Sequence, residues 1–167
     1  MPDNGVPKGW TRARLGELLQ LKYGTSLRES ERHGGSVPVV GSAGIVGAHS
    51  SASVKGPGIV VGRKGSIGDV TWMATDFWPI DTTYYVSPID GKCDLRWAYQ
   101  LLQTLNLPSL NRATGVPGLN RDDVHALTRV FPPPDEQRRI AEVLDSIDAA
   151  IEKTEAVIAA TERLRSA

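Results

Sequence analysis

The sequence predicts an α+β fold, in which a compact head of short, twisted β-strands and a few helices precedes one long helix that forms a coiled coil. Short β-branched segments between turn residues fill residues 1–131, whereas residues 135–167 contain no Gly or Pro and repeat apolar residues with heptad spacing. Three consecutive prolines at 132–134 separate these parts, because they remove three backbone donors and interrupt helix and central strand alike. We therefore expect a head over 1–131, a junction over 132–134 and a helix over 135–167.

The composition favours one ordinary domain plus an appendage. Of the 167 residues, 40% are hydrophobic, 6% aromatic and 23% charged, as in a loop-rich globular chain. No run approaches the ~18 apolar residues of a membrane span, and the first ten residues are too polar for a signal peptide. We therefore expect a cytoplasmic protein without membrane contact, in which the single cysteine, Cys93, is a small core residue.

The zero net charge hides an uneven distribution. Residues 135–167 hold 5 of the 19 basic and 8 of the 19 acidic residues, which leaves 14 basic and 11 acidic residues for 1–134. The head is therefore mildly basic and the helix acidic. This balance allows a nucleic-acid-facing head, but it lacks the strongly basic footprint of a non-specific binder.

Short elements are predicted along the head. A helix over 94–107 follows from one apolar face, and Asn120 with Asp123 predicts a capped short helix through Leu127. Strands are expected where β-branched or aromatic residues lie between Gly, Pro, Ser or Asp, at 37–40, 58–62, 67–73, 82–86 and 128–131.

The last segment shows a heptad seam. Asp135 is a plausible N-cap, and Ile140, Leu144 and Ile147 begin alternating spacings of four and three that continue to Thr161. A second apolar row widens the stripe, so more than one partner element is expected against it. A helix folded back on its own head is the alternative, although about 31 residues would span roughly 46 Å. The residues that we expect to meet a partner or a second copy are Ile140, Val143, Leu144, Ile147, Ile151, Val157 and Ile158.

No catalytic or metal-binding constellation emerges from the sequence. The stretch Gly62–Ser66 lacks P-loop spacing and precedes a strand, so nucleotide hydrolysis is not expected; it predicts a tight hairpin with Arg63 and Lys64 at an exposed tip, or simply a solvated turn. Residues 41–47 form a second glycine-rich loop without a dinucleotide context. The three histidines lack metal-ligand spacing.

Several motifs occur in a characteristic order. GWT at 9–11 and LGEL at 15–18 lie near the start, VPVVGS at 37–42 and GRKGSIG at 62–68 in the middle, and TGVPGLN at 114–120 and PPPDEQRRIA at 132–141 near the end. They extend over nearly the whole chain, and the last motif followed by heptads is the most specific. This arrangement resembles the specificity subunits of type I restriction-modification systems.

The resemblance implies a target-recognition domain that binds double-stranded DNA, reads one half-site of a split target and performs no chemistry. In that family, methylation belongs to modification subunits that use S-adenosylmethionine, and cleavage belongs to an ATP- and Mg-dependent restriction subunit. We therefore expect no cofactor on this chain, with modification subunits and the restriction subunit as partners. Family members usually carry two recognition domains and two spacer helices, so one of each suggests a half-size subunit that forms a homodimer, or a fragment.

DNA readers position themselves through Arg, Lys, Ser and Thr on phosphates, and they read bases through a few loop side chains. On the glycine-rich loops, the expected DNA contacts are Lys22, Thr25, Ser26, Arg28, Ser42, His49, Arg63, Lys64, Arg112 and Thr114. Two other classes remain open: a protein-binding adaptor whose coiled-coil helix is the main functional element, and a nucleotide-using enzyme.

Overall fold

The computed structural model describes residues 5–111 and 117–165, and it confirms the α+β class with a long C-terminal helix. The strands of the described residues are β1 Thr11–Arg14, β2 Leu19–Tyr23, β3 Val37–Gly41, β4 Gly44–His49, β5 Gly58–Gly62, β6 Val70–Met73, β7 Trp78–Pro79, β8 Thr83–Pro88 and β9 Thr128–Phe131. The helices are α1 Leu95–Thr104, α2 Arg121–His125 and α3 Pro134–Arg165, and short 3₁₀ turns occupy Leu15–Glu17, Glu29–Glu31 and Leu107–Leu110.

The central sheet has the strand order β2-β8-β5-β6, and each pair of neighbouring strands in it is antiparallel. All five residues of β5 are buried, because both faces of the strand are covered. Side chains alternate between the faces of a strand, so Ile59 and Val61 enter the main core, whereas Val60 joins a second cluster with Val40 and Phe77. The second sheet, in the order β4-β3-β7, supplies Val40 to that cluster.

The main core joins α1, α2 and the base of α3 to the central sheet. Leu19, Tyr84, Ala98 and Val124 are all at most 2% exposed within it. The two-stranded sheet of β1 and β9 closes the head next to the junction, with Thr11 opposite Phe131. The start of the head and its last strand therefore meet where the long helix begins.

The strand predictions at 58–62 and 128–131 match β5 and β9. The strand expected at 67–73 begins only at Val70, because Gly65 and Gly68 take positive φ angles and the N–H of Gly68 donates to the Gly62 carbonyl. The glycine-rich segment 41–47, expected as a loop, is instead a hairpin that pairs β3 with β4. Glycines conceal the strand pattern there, because they have no side chain to alternate.

The long helix begins at Pro134, so Asp135 lies in its first turn and the predicted N-cap at Asp135 is wrong. Proline is well suited to a first helical position, since it has no N–H to leave unpaired. Residues 146–165 are all exposed, so α3 projects and does not fold back along the head. Its 32 residues correspond to about 48 Å. Within the described ranges, no helix is both long and apolar enough to cross a membrane.

Candidate functional site

The loop from β5 to β6 is fixed to the head through its backbone. The N–H groups of Arg63 and Lys64 both donate to the Thr82 carbonyl, at 2.9 and 3.1 Å, and the N–H of Leu119 donates to the Arg63 carbonyl at 2.8 Å. Arg63 is thus held between the loop before β8 and the loop that precedes α2. These bonds fix the backbone of Arg63, from which its side chain extends.

The Arg63 side chain lies over two tyrosine rings. Its guanidinium carbon is 5.2 Å from the centroid of Tyr23 and 6.0 Å from that of Tyr84. Its Nε is buried and has no hydrogen-bond partner among the described residues. The expectation of an exposed tip therefore holds for Lys64, which is exposed, and is wrong for Arg63, which is half-buried because its guanidinium packs on aromatic rings.

A second cation contacts the Tyr23 ring. The guanidinium carbon of Arg121, the first residue of α2, lies 4.9 Å from the Tyr23 centroid, and Tyr23 itself remains 49% exposed. The Tyr23 and Tyr84 rings are 5.1 Å apart. We call Tyr23, Arg63, Tyr84 and Arg121 the Tyr23 cluster. Sequence reasoning missed Tyr23 and Arg121, although Tyr23 follows Leu19 and Leu21 with strand spacing.

Tyr84 forms the buried floor of the Tyr23 cluster. Its hydroxyl donates a 2.8 Å hydrogen bond to the Leu119 carbonyl, and burial together with the neighbouring Tyr23 raises its pKa to about 12. Tyr84 therefore stays neutral at physiological pH. The cluster presents two cations on one half-exposed ring, and the Nε of Arg121 also lies 3.6 Å from the carboxylate of Asp122.

A second group surrounds Trp78. The ring of His49 meets the Trp78 ring edge-on at 5.1 Å, and the indole Nε1 of Trp78 donates to the Thr25 carbonyl at 3.0 Å. The N–H of Thr25 in turn donates to the Pro79 carbonyl at 2.9 Å. The structure therefore brings His49 and Thr25 together, and it joins them to the Tyr23 cluster through the short segment from Tyr23 to Thr25.

The remaining predicted contacts are more dispersed. Lys22 pairs across the sheet with Tyr85, so it points to the face opposite Tyr23. Ser26 and Arg28 are exposed on the following loop, and Ser42 is half-buried at the β3–β4 turn. Five residues of β4 separate that turn from His49, about 17 Å at strand spacing, so the structure does not bring Ser42 and His49 together. Arg112 and Thr114 lie outside the described residues.

The long helix carries an exposed apolar stripe. Ile140 is half-buried against the main core and so belongs partly to the head. The other predicted partner residues are exposed, with exposed fractions between 36% and 65%: Val143, Leu144, Ile147, Ile151, Val157 and Ile158. Leu164, 80% exposed, extends the same stripe toward the end of the helix. The head leaves these side chains uncovered.

The described residues contain no group of three or more His, Cys, Asp or Glu side chains placed to hold a metal ion. His125 has a structural role, since its Nε2 accepts the N–H of Leu21 at 2.9 Å. Cys93 is half-buried beside the core, and burial raises the pKa of its thiol to about 12, so the thiol stays protonated at physiological pH.

A head of small, mainly antiparallel sheets followed by one projecting helix defines an α+β binding protein without a metal-binding group among the described residues. Comparisons with known proteins give its family. A family model described as the type I restriction modification DNA specificity domain matches residues 7–162. The chain therefore belongs to the family of type I restriction-modification specificity subunits.

Known proteins with similar sequence or fold agree with this assignment. The specificity subunit of the Escherichia coli type I restriction enzyme EcoprrI is 27% identical over 143 residues, or 82% of this chain and 35% of that protein. That of Escherichia coli EcoDI is 26% identical over 158 residues, or 93% and 35%. The crystal structure of the type I S subunit from M. genitalium has a TM-score of 0.77 at 22% identity, over 99% of this chain and 46% of that one. The chain spans about a third of the length of the two E. coli relatives.

Proposed function

We propose that this chain is a DNA-specificity component of a type I restriction-modification system. Its head, over residues 1–131, reads one half-site of a split target, and the helix that follows the 132–134 junction docks the modification subunits. The family assignment supports this proposal. The chain is non-catalytic, and S-adenosylmethionine, ATP and Mg bind to its partner subunits.

The observation that carries the proposal is the Tyr23 cluster. Two guanidinium groups, from Arg63 and Arg121, converge on a half-exposed ring. Planar guanidinium groups match phosphate oxygens and the major-groove edge of guanine. The Tyr23 ring keeps both guanidinium groups in place. Arg121 also lies 3.6 Å from the exposed carboxylate of Asp122, an ion pair that a DNA phosphate would have to displace or share.

The surrounding side chains give this surface a defined extent. Lys64 is exposed on the same loop as Arg63, and Thr25 follows Tyr23 in the chain. His49 reaches the same segment through Trp78. We propose that Lys64, Thr25 and His49 border the DNA, whereas Lys22, on the opposite face of the sheet, contributes to the field of the head.

The apolar stripe of α3 supports the second half of the proposal. The large apolar side chains between Val143 and Leu164 form a contiguous exposed patch, which is typical of an interaction surface. The stripe is also wider than a two-stranded coiled coil needs. A second copy packed antiparallel, together with modification subunits, would cover it. Such a homodimer would read a two-fold-symmetric split target.

The test is methylation sequencing of DNA from cells that express the chain together with type I modification subunits. We expect methylation at one short split motif with the parent chain, and loss of that methylation with the double variant Arg63→Glu, Lys64→Glu. The double variant Lys8→Glu, Arg12→Glu reverses two exposed cations near the start of the head; it is the matched control and should leave the motif unchanged. No motif, together with no gel shift of any duplex at low salt, would favour the protein-binding adaptor.

A further inference from the structure

Polar side chains attach the base of α3 to the head on two stretches of the helix, residues 136–137 and residues 145–148. On the first stretch, the indole Nε1 of Trp10 donates to a carboxylate oxygen of Glu136 at 3.0 Å, and the neighbouring Gln137 is buried. Gln137 is 1% exposed, and its side-chain oxygen accepts the N–H of Asp94 at 2.8 Å. Its amide donates to the carbonyls of Lys92 at 3.0 Å and Pro132 at 2.9 Å. This side chain joins the first turn of α3 to the loop before α1 and to the proline junction.

The second attachment is an ion pair between α1 and α3. The Nε of Arg96 donates to both carboxylate oxygens of Asp145, at 2.7 and 2.8 Å. The Arg96 guanidinium carbon also lies 4.7 Å from the ring of Trp72 and 5.1 Å from that of Tyr99. Two aromatic rings of the head therefore hold the Arg96 guanidinium in place beside the Asp145 carboxylate.

The two attachments together restrict both tilt and rotation of the helix. Gln137 and Asp145 are eight residues apart, which is about 12 Å along the axis and about 80° around it. Gln137 and the packing of Ile140 and Ala141 on the main core hold the base of α3. The Arg96–Asp145 pair adds a contact at another height and on another face of the helix, which restricts its remaining tilt. Asp145 directly follows Leu144 of the apolar stripe, so fixing Asp145 also fixes the direction in which the stripe faces.

The direction of α3 matters because the helix acts as a lever. About 20 residues extend from Asp145 to Arg165, or roughly 30 Å, so a tilt of about 10° would move the end by about 5 Å. That exceeds the ~3.4 Å rise of one base pair. We propose that Arg96 and Asp145 are positioning residues that set the distance between the two half-sites, an inference that rests on the proposed reading of a split DNA target.

This role differs from holding the head together. The side chains of Arg96 and Asp145 are 31% and 37% exposed, and ion pairs at that exposure contribute little to folding stability. Gln100, on the next turn of α1, adds longer contacts of 3.4 Å to Asp145 and 3.3 Å to Asp148. Removing the Asp145 carboxylate should therefore leave a folded head with a loosened helix.

The first test measures the helix direction in the full chain without DNA. Spin labels at Ser30→Cys in the head and Ala160→Cys in α3, on a Cys93→Ala background, would report one distance distribution by double electron–electron resonance. The labelled chain is diluted with excess unlabelled chain, so that only distances within one copy are recorded. We expect Asp145→Ala and Arg96→Met to broaden or displace the distribution.

The matched control is Asp135→Ala, which removes the partner of Arg138 in a 3.5 Å ion pair formed within α3 alone. It should leave the distribution as in the parent. Distributions for Asp145→Ala and Arg96→Met that match this control would overturn the proposal.

The second test measures spacing specificity with duplexes that carry both half-sites of the motif found by methylation sequencing. The gap is native, or longer or shorter by one base pair. We expect Asp145→Ala to lower discrimination between gaps about tenfold, a change of ~1.4 kcal/mol, and to leave affinity for a single half-site unchanged. Unchanged discrimination despite a broadened distribution would reject the spacing role. A parent chain that binds no duplex would instead overturn the proposed function, and the spacing role with it.

Discussion

The guanidinium carbon of Arg121 lies 4.9 Å from the centroid of the Tyr23 ring, at the junction of two distant segments of the chain. Arg121 opens α2, and Tyr23 ends β2. The backbone of Asp122 is fixed by the side chain of Asn120, whose oxygen accepts its N–H at 2.9 Å. The arginine is therefore presented by a capped helix start beside a half-exposed ring, where the exposed carboxylate of Asp122 lies 3.6 Å from its Nε.

Replacing Arg121 with Gln should weaken DNA binding without unfolding the head. A charge-assisted contact of about 1.4 kcal/mol corresponds to roughly tenfold in affinity. If Arg121 neutralises one phosphate, the slope of log K against log salt should become less steep by about 0.9. Both quantities follow from titrating a mixed-sequence duplex at several salt concentrations.

Arg129→Gln is the matched control for this measurement. Arg129 is exposed on β9, beside the junction with the long helix. Its replacement with Gln removes the same charge from the same head. Equal losses for Arg121→Gln and Arg129→Gln would mean that only the net charge matters. The Tyr23 cluster would then have no particular role in DNA binding.

The sequence predicted β5 and β9 because their residues are β-branched or aromatic and lie between clear turn signals. It missed β1 and β2, where Arg12, Gln20 and Lys22 interrupt the apolar pattern. It missed β4 because two glycines occupy the strand. Local pattern therefore located the central strands β5 and β8 and the outer strand β9, whereas β1, β2 and β4 depend on pairing with other strands.

The candidate site was predicted only in part for the same reason. Arg63 was found because it belongs to a motif, but its burial over Tyr23 and Tyr84 results from the meeting of two strands and a loop. No spacing in the sequence joins Tyr23 to Arg121. The apolar stripe of α3 was predicted well, since heptad spacing is a local property and the helix makes few contacts beyond its base.

Replacing Gln137 with Ala should destabilise the protein strongly. The Asp94 N–H would lose its acceptor, the carbonyls of Lys92 and Pro132 would lose their donor, and a cavity would remain. We expect the free energy of unfolding to fall by about 2–4 kcal/mol. Urea denaturation measures the change, and an unaltered m-value would show that the loss belongs to the folded state.

Gln103→Ala provides the comparison, because Gln103 is exposed on α1 and should change the free energy of unfolding by no more than about 0.5 kcal/mol. A similarly small effect for Gln137→Ala would show that water replaces the three hydrogen bonds. The buried glutamine would then not be an anchor of the long helix.

Replacing Ile151 with Asp should abolish association through α3 and leave the head intact. Ile151 is 50% exposed and lies beyond the part of the helix that contacts the head. In an assembly, another chain would therefore cover the Ile151 side chain. Sedimentation at several concentrations should show a parent that associates and a variant that stays monomeric. The two should have equal thermal unfolding midpoints at a concentration at which the parent is also monomeric.

Ala149→Asp introduces the same charge about 200° around the helix axis from Ile151, on the face away from the stripe. It should associate like the parent. A parent chain that is monomeric at every concentration would count against self-pairing, and the stripe would then be left to the modification subunits.

The last prediction concerns pH and His125. Its Nε2 accepts the Leu21 N–H, and burial lowers the pKa of His125, an effect that Asp122 opposes and Arg121 reinforces. The unfolded chain therefore takes up a proton at higher pH than the folded one. The stability contributed by neutral His125 is complete above about pH 6.5 and is lost as the pH falls through the folded-state pKa.

Replacing His125 with Gln removes this titration, so the stability difference between parent and variant should shrink as the pH is lowered from 7 to about 5. Urea denaturation at a series of pH values measures it, with His33→Gln, which replaces an exposed histidine and keeps the hydrogen bond between His125 and Leu21, as the control. Parallel curves for parent and His125→Gln would show that the imidazole is not held neutral by the Leu21 N–H. The hydrogen bond that ties α2 to β2 would then contribute nothing that depends on protonation.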